Sequence, residues 1–153
     1  MAVSSQTRLQ DYARDGFRFF TSTPTRWGDC DMFGHVNNVQ FVRYYESGRL
    51  DYFHRLLDKS AGPDVHNSLI IADIQVSFLR QVHHPCSLEV GSRISRLGNS
   101  SFDFDAAIFA PGEDEPCSTA KAACVWFNYR DNHSTPIPPV EREIIKQFEG
   151  IEA

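Results

Sequence analysis

The chain has 153 residues, 41% of them hydrophobic and 23% charged, with a formal net charge of −5 at pH 7. That length buries one hydrophobic core without staples, and the composition excludes collagen-like and strongly disordered chains. The negative balance excludes the basic footprint that nucleic-acid phosphates require, no run of about 18 apolar residues offers a membrane span, and no apolar h-region opens the chain. A cytoplasmic domain that binds neither nucleic acid nor membrane is therefore expected. The four cysteines, Cys30, Cys86, Cys117 and Cys124, form no CxxC pair, and no histidine stands at zinc-finger spacing from them. Free thiols are expected, with neither a metal nor another cofactor.

Residues 1–16 are polar and unpatterned, and read as an N-terminal extension to one domain over residues 17–140. From Phe17 to Thr25, β-branched and aromatic residues predict a strand that ends in the turn-forming Gly28-Asp29-Cys30-Asp31-Met32-Phe33-Gly34. Phe41, Tyr45, Gly48, Tyr52 and Leu56 then recur at helical spacing, which predicts a helix from about Asn38 to Leu57, roughly 30 Å long. Asn37 followed by Gln40 approximates a capping box at its start. Gly48 costs about 1 kcal/mol against alanine in mid-helix, which makes sense if the helix must approach a sheet closely.

The rest alternates with period two. Within residues 68–82, Ala72, Ile74, Val76 and Phe78 fall on one face and Asp73, Gln75 and Ser77 on the other. Leu88, Val90 and Ile94 oppose Glu89 and Arg93. Gly98-Asn99 marks a hairpin, after which Phe102, Phe104, Ala106 and Ile108 oppose Asp103 and Asp105. A last strand covers residues 118–129, and the turn-rich segment 131–139 leads to a short charged C-terminal tail, residues 141–153. One strand, one long helix and four strands joined by short turns give an α+β fold, an antiparallel sheet with the helix on one face.

The string Asp29-Cys30-Asp31-Met32-Phe33-Gly34-His35-Val36-Asn37-Asn38, continuing through Tyr44-Tyr45-Glu46-Ser47-Gly48-Arg49, resembles the 4-hydroxybenzoyl-CoA thioesterase family. Phe78-Leu79-Arg80 and Gly98-Asn99-Ser100-Ser101-Phe102 extend the resemblance over roughly residues 17–140. It implies a hotdog fold, in which about five antiparallel strands wrap the long helix and two subunits pair their sheets edge to edge. It further implies metal-independent hydrolysis of an acyl-CoA or acyl-carrier-protein thioester at a site on the interface of a homodimer or dimer of dimers. The family's catalytic carboxylate falls on Asp31, as nucleophile or general base, and the amides of Asn38 and Val39 would hold the thioester oxygen. Gly34, His35 and Asn37 would shape the substrate loop. The family's aryl-CoA enzyme has a basic cluster at the hairpin where this chain has Gly98-Asn99-Ser100, so phosphate contacts would fall to Arg80 and Arg96, with Arg93 beside them.

The chemistry of the residues agrees with that placement. Thioester hydrolysis needs a base or nucleophile beside the carbonyl and donors for the oxyanion, and a helix N-terminus offers unpaired N–H groups. Asp29 reads as a structural turn or salt-bridge residue. Glu46, the rival carboxylate, is expected to pair with Arg43 or Arg49, three residues away on either side. His83-His84 is no metal pair, because neighbours on a strand point to opposite faces, and no Gly-x-Ser-x-Gly suggests a serine hydrolase. Two other functions fit the same fold: a non-catalytic acyl-CoA-binding or regulatory module, and a hydratase or dehydratase built around His35.

Overall fold

The computed structural model describes residues 9–58 and 66–152. The period-two segments form β1 (Phe19–Pro24), β2 (Asn67–Phe78), β3 (Ser87–Leu97), β4 (Ser101–Phe109) and β5 (Ser118–Asn128), all antiparallel in the order β1-β3-β4-β5-β2. A two-residue β6 (His133–Ser134) adds to β5. The long helix α1 (Asn38–Leu57) packs against β1 and β3 on the inner face of this sheet, which is the hotdog arrangement.

The helix spacing seen in the sequence does the packing. Phe41, Tyr45, Gly48 and Tyr52 are buried, against a sheet face made by Leu88, Val90 and Ile94 of β3, Phe102, Phe104 and Ile108 of β4, and Trp126 of β5. A Cβ on Gly48 would stand 2.8 Å from Val90 Cγ1 and 3.1 Å from Ser92 Oγ. Only glycine permits so close an approach.

Three expectations change. In β2 the register shifts between Ile71 and Asp73, so Ala72 is the extra residue of a bulge and is exposed. Ile71, opposite Cys124, therefore takes the inward position expected of Ala72, while Ile74 opposite Ala122 stays inward. The strand also stops at Phe78, because the amides of Leu79 and Arg80 both turn to the Cys117 carbonyl, at 2.9 and 3.1 Å.

The supposed N-terminal extension is part of the domain from Leu9 onward; residues 1–8 lie outside the described residues. Two short 3₁₀ turns, Leu9–Tyr12 and Arg14–Gly16, bring Tyr12 into a second apolar cluster with Phe17, Ala107 and Phe109. The Arg93 guanidinium lies 5.2 Å from the Tyr12 ring and 4.6 Å from that of Phe17. This cover buries Asp105, which the alternation assigned to the polar face.

The supposed tail forms a second helix, α2 (Pro139–Glu149), with proline in its first turn. Ile145 is buried, with Ile144 and Phe148 packed around the same core. Arg142 donates to the carbonyls of Gly98 and Asn99 at 2.6 and 3.0 Å. Glu149 Oε1 accepts from the Tyr52 hydroxyl at 2.6 Å and from the Ile94 amide at 3.2 Å.

Candidate active site

The segment between β1 and α1 is a chain of local locks. A 3₁₀ turn, Trp27–Asp29, follows the buried Thr25, and Asp29 closes it by accepting from the Arg26 amide at 2.9 Å. The same oxygen accepts from the Tyr44 hydroxyl of α1 at 2.6 Å, and the Asp29 carbonyl accepts from the Asn37 amide at 3.0 Å. Burial alone would raise the pKa of Asp29, but the hydrogen bonds from Tyr44 and Arg26 hold its carboxyl below the ordinary aspartate range. Asp29 is thus the structural residue its sequence position suggested.

Residues 30–36 then make a miniature hairpin, with a bridge between Cys30 and Val36. The Asp31 amide donates to the His35 carbonyl and the Gly34 amide to the Asp31 carbonyl, each at 3.1 Å. Gly34 has φ +86°, a conformation that glycine adopts without strain. Asp31 Oδ1 accepts from the Phe33 amide at 2.8 Å, which fixes the side chain; Oδ2 has no hydrogen bond among the described residues. The result is a carboxylate held by one oxygen and available by the other.

Asn37 caps α1, but its Oδ1 accepts from the Val39 amide at 2.9 Å rather than from that of Gln40, which goes to the Asn37 carbonyl. The amide expected to hold a substrate oxygen at Val39 is therefore occupied by the cap. That of Asn38, the first helical residue, has no intrahelical acceptor. Two cavities border the hairpin. One of about 470 Å³ is lined by Asp31, Trp27, Gly28, Cys30, Gly34 and His84. The other, about 180 Å³, is lined by His35, Asn38, Phe41, Phe78 and Arg80 among others. Asp31 lines the larger of the two and Asn38 the smaller. Around them Trp27, Met32 and Phe33 are 84%, 93% and 78% exposed.

The arginines proposed for phosphates are engaged. Arg80 pairs with Glu115 at 2.8 Å and Glu113 at 3.9 Å, Arg96 with Asp103 at 3.1 Å, and Arg93 with Asp105 at 3.4 Å. Arg96 lies on β3, away from both cavities' linings. Glu46 makes no short ion pair with Arg43 or Arg49 among the described residues, although its charge acts on the Arg49 guanidinium, one of the two partners expected. Arg49 is only 7% exposed, and burial depresses its pKa. All four cysteines are free thiols, and no cluster of three potential metal ligands occurs among the described residues. Sequence reasoning missed the Tyr44 hydroxyl under Asp29 and weighed His84 only as a metal ligand; its place before Pro85, opposite Thr25, carries no local pattern.

Similarity to known proteins covers most of the chain. A 28% identical relative, the uncharacterised protein YsmA of Bacillus subtilis (strain 168), matches 86% of this chain and 88% of its own length. Acyl-acyl carrier protein thioesterase ATL2 of Arabidopsis thaliana is 26% identical over 79% of this chain, which spans 64% of the plant protein. A thioesterase of Thermus thermophilus, solved with coenzyme A and Zn, superposes with a TM-score of 0.76 at 29% identity, covering 91% of this chain and 99% of that one. With residues 25–145, which hold the Asp31 hairpin, α1 and strands β2 to β5, matching the family's model, the chain belongs to the thioesterase-like superfamily.

Proposed function

We propose that the protein hydrolyses a thioester between a carboxylic acid and a pantetheine-bearing carrier, with Asp31 as the catalytic carboxylate. The observation that carries this reading is the Asp31 side chain, fixed through Oδ1 by the Phe33 amide and open through Oδ2 on a 470 Å³ cavity. Asp31 either takes the proton of an attacking water or adds to the carbonyl carbon itself. In both routes the C–S bond breaks, its electron pair leaves on sulfur, and water supplies the oxygen and proton that complete the acid and the thiol.

Coenzyme A and acyl carrier protein share the pantetheine arm, and the similar proteins include one solved with coenzyme A and one named for acyl carrier protein. The pairing of Arg80 and Arg96 with carboxylates leaves recognition to the arm and the acyl group more than to nucleotide phosphates. A homodimer or dimer of dimers in the cytoplasm fits the same reading. Strand β2, 12 residues long, stands at a sheet edge, and such edges invite pairing. Arg49, largely buried on α1, makes no hydrogen bond among the described residues and has the charge of Glu46 nearby, which leaves its guanidinium able to meet acceptors of a second copy.

The test is thiol release from acetyl, medium-chain, long-chain and aromatic CoA thioesters and from acyl carrier protein. Wild type should turn over at least one class, and Asp31→Asn should lower the rate about 10²–10⁴-fold with substrate affinity little changed. Acyl-CoA binding without hydrolysis of any substrate would replace this reading with a non-catalytic binding module.

A further inference from the structure

We propose that His84 supplies the hydrogen bond to the thioester oxygen on the Asp31 side of the loop, its ring held in the Nε2–H form by Thr25. This rests on the reading of the site as a thioesterase.

Thr25 is buried, 8% exposed, and its hydroxyl has two neighbours. The Cys86 amide donates to Oγ1 at 2.9 Å, and His84 Nδ1 lies 2.9 Å from the same oxygen. A hydroxyl carries a single proton. With Cys86 already donating, the hydroxyl satisfies its own proton only by donating to Nδ1, since no other acceptor for it occurs among the described residues. Nδ1 then accepts, so the neutral ring carries its proton on Nε2. Next door the contact differs: His83, which is exposed, has its Nδ1 3.3 Å from the Gly34 carbonyl, a group that only accepts.

His84 lines the cavity that Asp31 lines, together with Trp27 and Gly28. Of the donors at the start of α1, the Val39 amide is bound by Asn37, and Asn38 lines the neighbouring smaller cavity. With Nδ1 turned to Thr25, Nε2–H is the ring's remaining polar group and the donor available to a carbonyl lying over Asp31. In the water route, a proton passes to Asp31 as the new C–O bond forms, and the carbonyl π pair moves to oxygen, which accepts the hydrogen bond that Nε2–H donates. Collapse restores the carbonyl and expels the thiolate, to which Asp31 returns the proton. A neutral imidazole suits this role because it donates without adding charge beside the base that must stay ionised.

The experiment uses full-length protein with ¹⁵N-labelled histidine rings. NMR should show His84 with an unprotonated Nδ1 and a protonated Nε2, retained in Thr25→Ser and lost to a mixture in Thr25→Val. On adding acetonyl-CoA, a ketone that cannot be hydrolysed, the His84 Nε2–H resonance should shift together with amides around Asp31. In thiol-release assays His84→Ala should lower kcat about 10²–10³-fold with a small change in KM, while Thr25→Val should fall short of that loss and Thr25→Ser should restore wild-type rates. A His84 ring protonated on Nδ1 overturns the proposal. So does a ketone that moves the Asp31 amides but not Nε2–H, and so does His84→Ala within about threefold of wild type where Asp31→Asn is inactive. A wild-type protein that hydrolyses no thioester refutes the thioesterase reading instead, and the ring measurements still decide whether Thr25 sets the tautomer.

Discussion

Replacing Tyr44 by Phe removes one hydroxyl from the lock beneath the Asp31 hairpin. Tyr44 and Asp29 are each 4% exposed, so solvent does little to replace the lost bond. Asp29 keeps the Arg26 amide at 2.9 Å and the more distant Arg26 Nε at 3.8 Å. A hydrogen bond to a charged group contributes about 1.5–3 kcal/mol. For a domain of this size 1 kcal/mol corresponds to roughly 2–4 °C in Tm, so Tyr44→Phe should unfold about 3–12 °C below wild type at pH 7. The pH dependence follows from Asp29, which Tyr44 and Arg26 hold below its ordinary pKa against the opposing effect of burial. Stability from such a depressed carboxyl is present above the unfolded pKa and is lost as pH falls through the folded value. The gap between wild type and variant should therefore narrow on acidification. Thermal unfolding followed by circular dichroism from pH 7 downward measures it, and exchange of the Asn37 amide, bound to the Asp29 carbonyl, reports whether the hairpin loosens. A variant that melts with wild type at pH 7, or a gap that stays constant into the acid range, would refute the lock.

Glu149 provides the opposite sign. Burial raises its pKa, only partly offset by the Tyr52 hydroxyl and the Ile94 amide, so its stabilisation is full below the ordinary glutamate pKa and is lost as pH rises through the folded value. Glu149→Gln should accordingly gain on wild type in Tm as pH rises from 4 to 8, and parallel curves would contradict this. Arg49→Met tests the buried guanidinium. If a second copy supplies its acceptors, sedimentation should show dimer affinity weakened by the equivalent of about 2–5 kcal/mol; an unchanged assembly with a higher Tm would mean that no second copy meets Arg49.

How much of this was legible beforehand divides along the range of the interactions. Period and caps are local, so the sequence alone determined α1 from Asn38 to Leu57, the inward faces of β3 and β4, Gly48 as a point of close approach, and the Asp31 turn before the helix. Through the Asp29 to Asn38 string it also pointed to a thioesterase family, of which the match shows the thioesterase-like superfamily and not the narrower 4-hydroxybenzoyl-CoA thioesterase family. Residues that owe their surroundings to distant segments were not legible. The bulge at Ala72 depends on the register with β5, and the burial of Asp105 depends on a turn nearly a hundred residues earlier in the chain. The helix α2 is short, and it is held in place by Ile145 in the core and by Glu149 reaching Tyr52 and Ile94. The site follows the same rule. Local turn chemistry set the Asp31 turn, whereas the Tyr44 hydroxyl under Asp29, the cavities beside the hairpin and the Thr25 contact to His84 exist only once β1, α1 and the β2–β3 connection are folded together. Hydrogen bonds between groups 15 and 59 residues apart leave no periodic trace, and tertiary packing alone decides them.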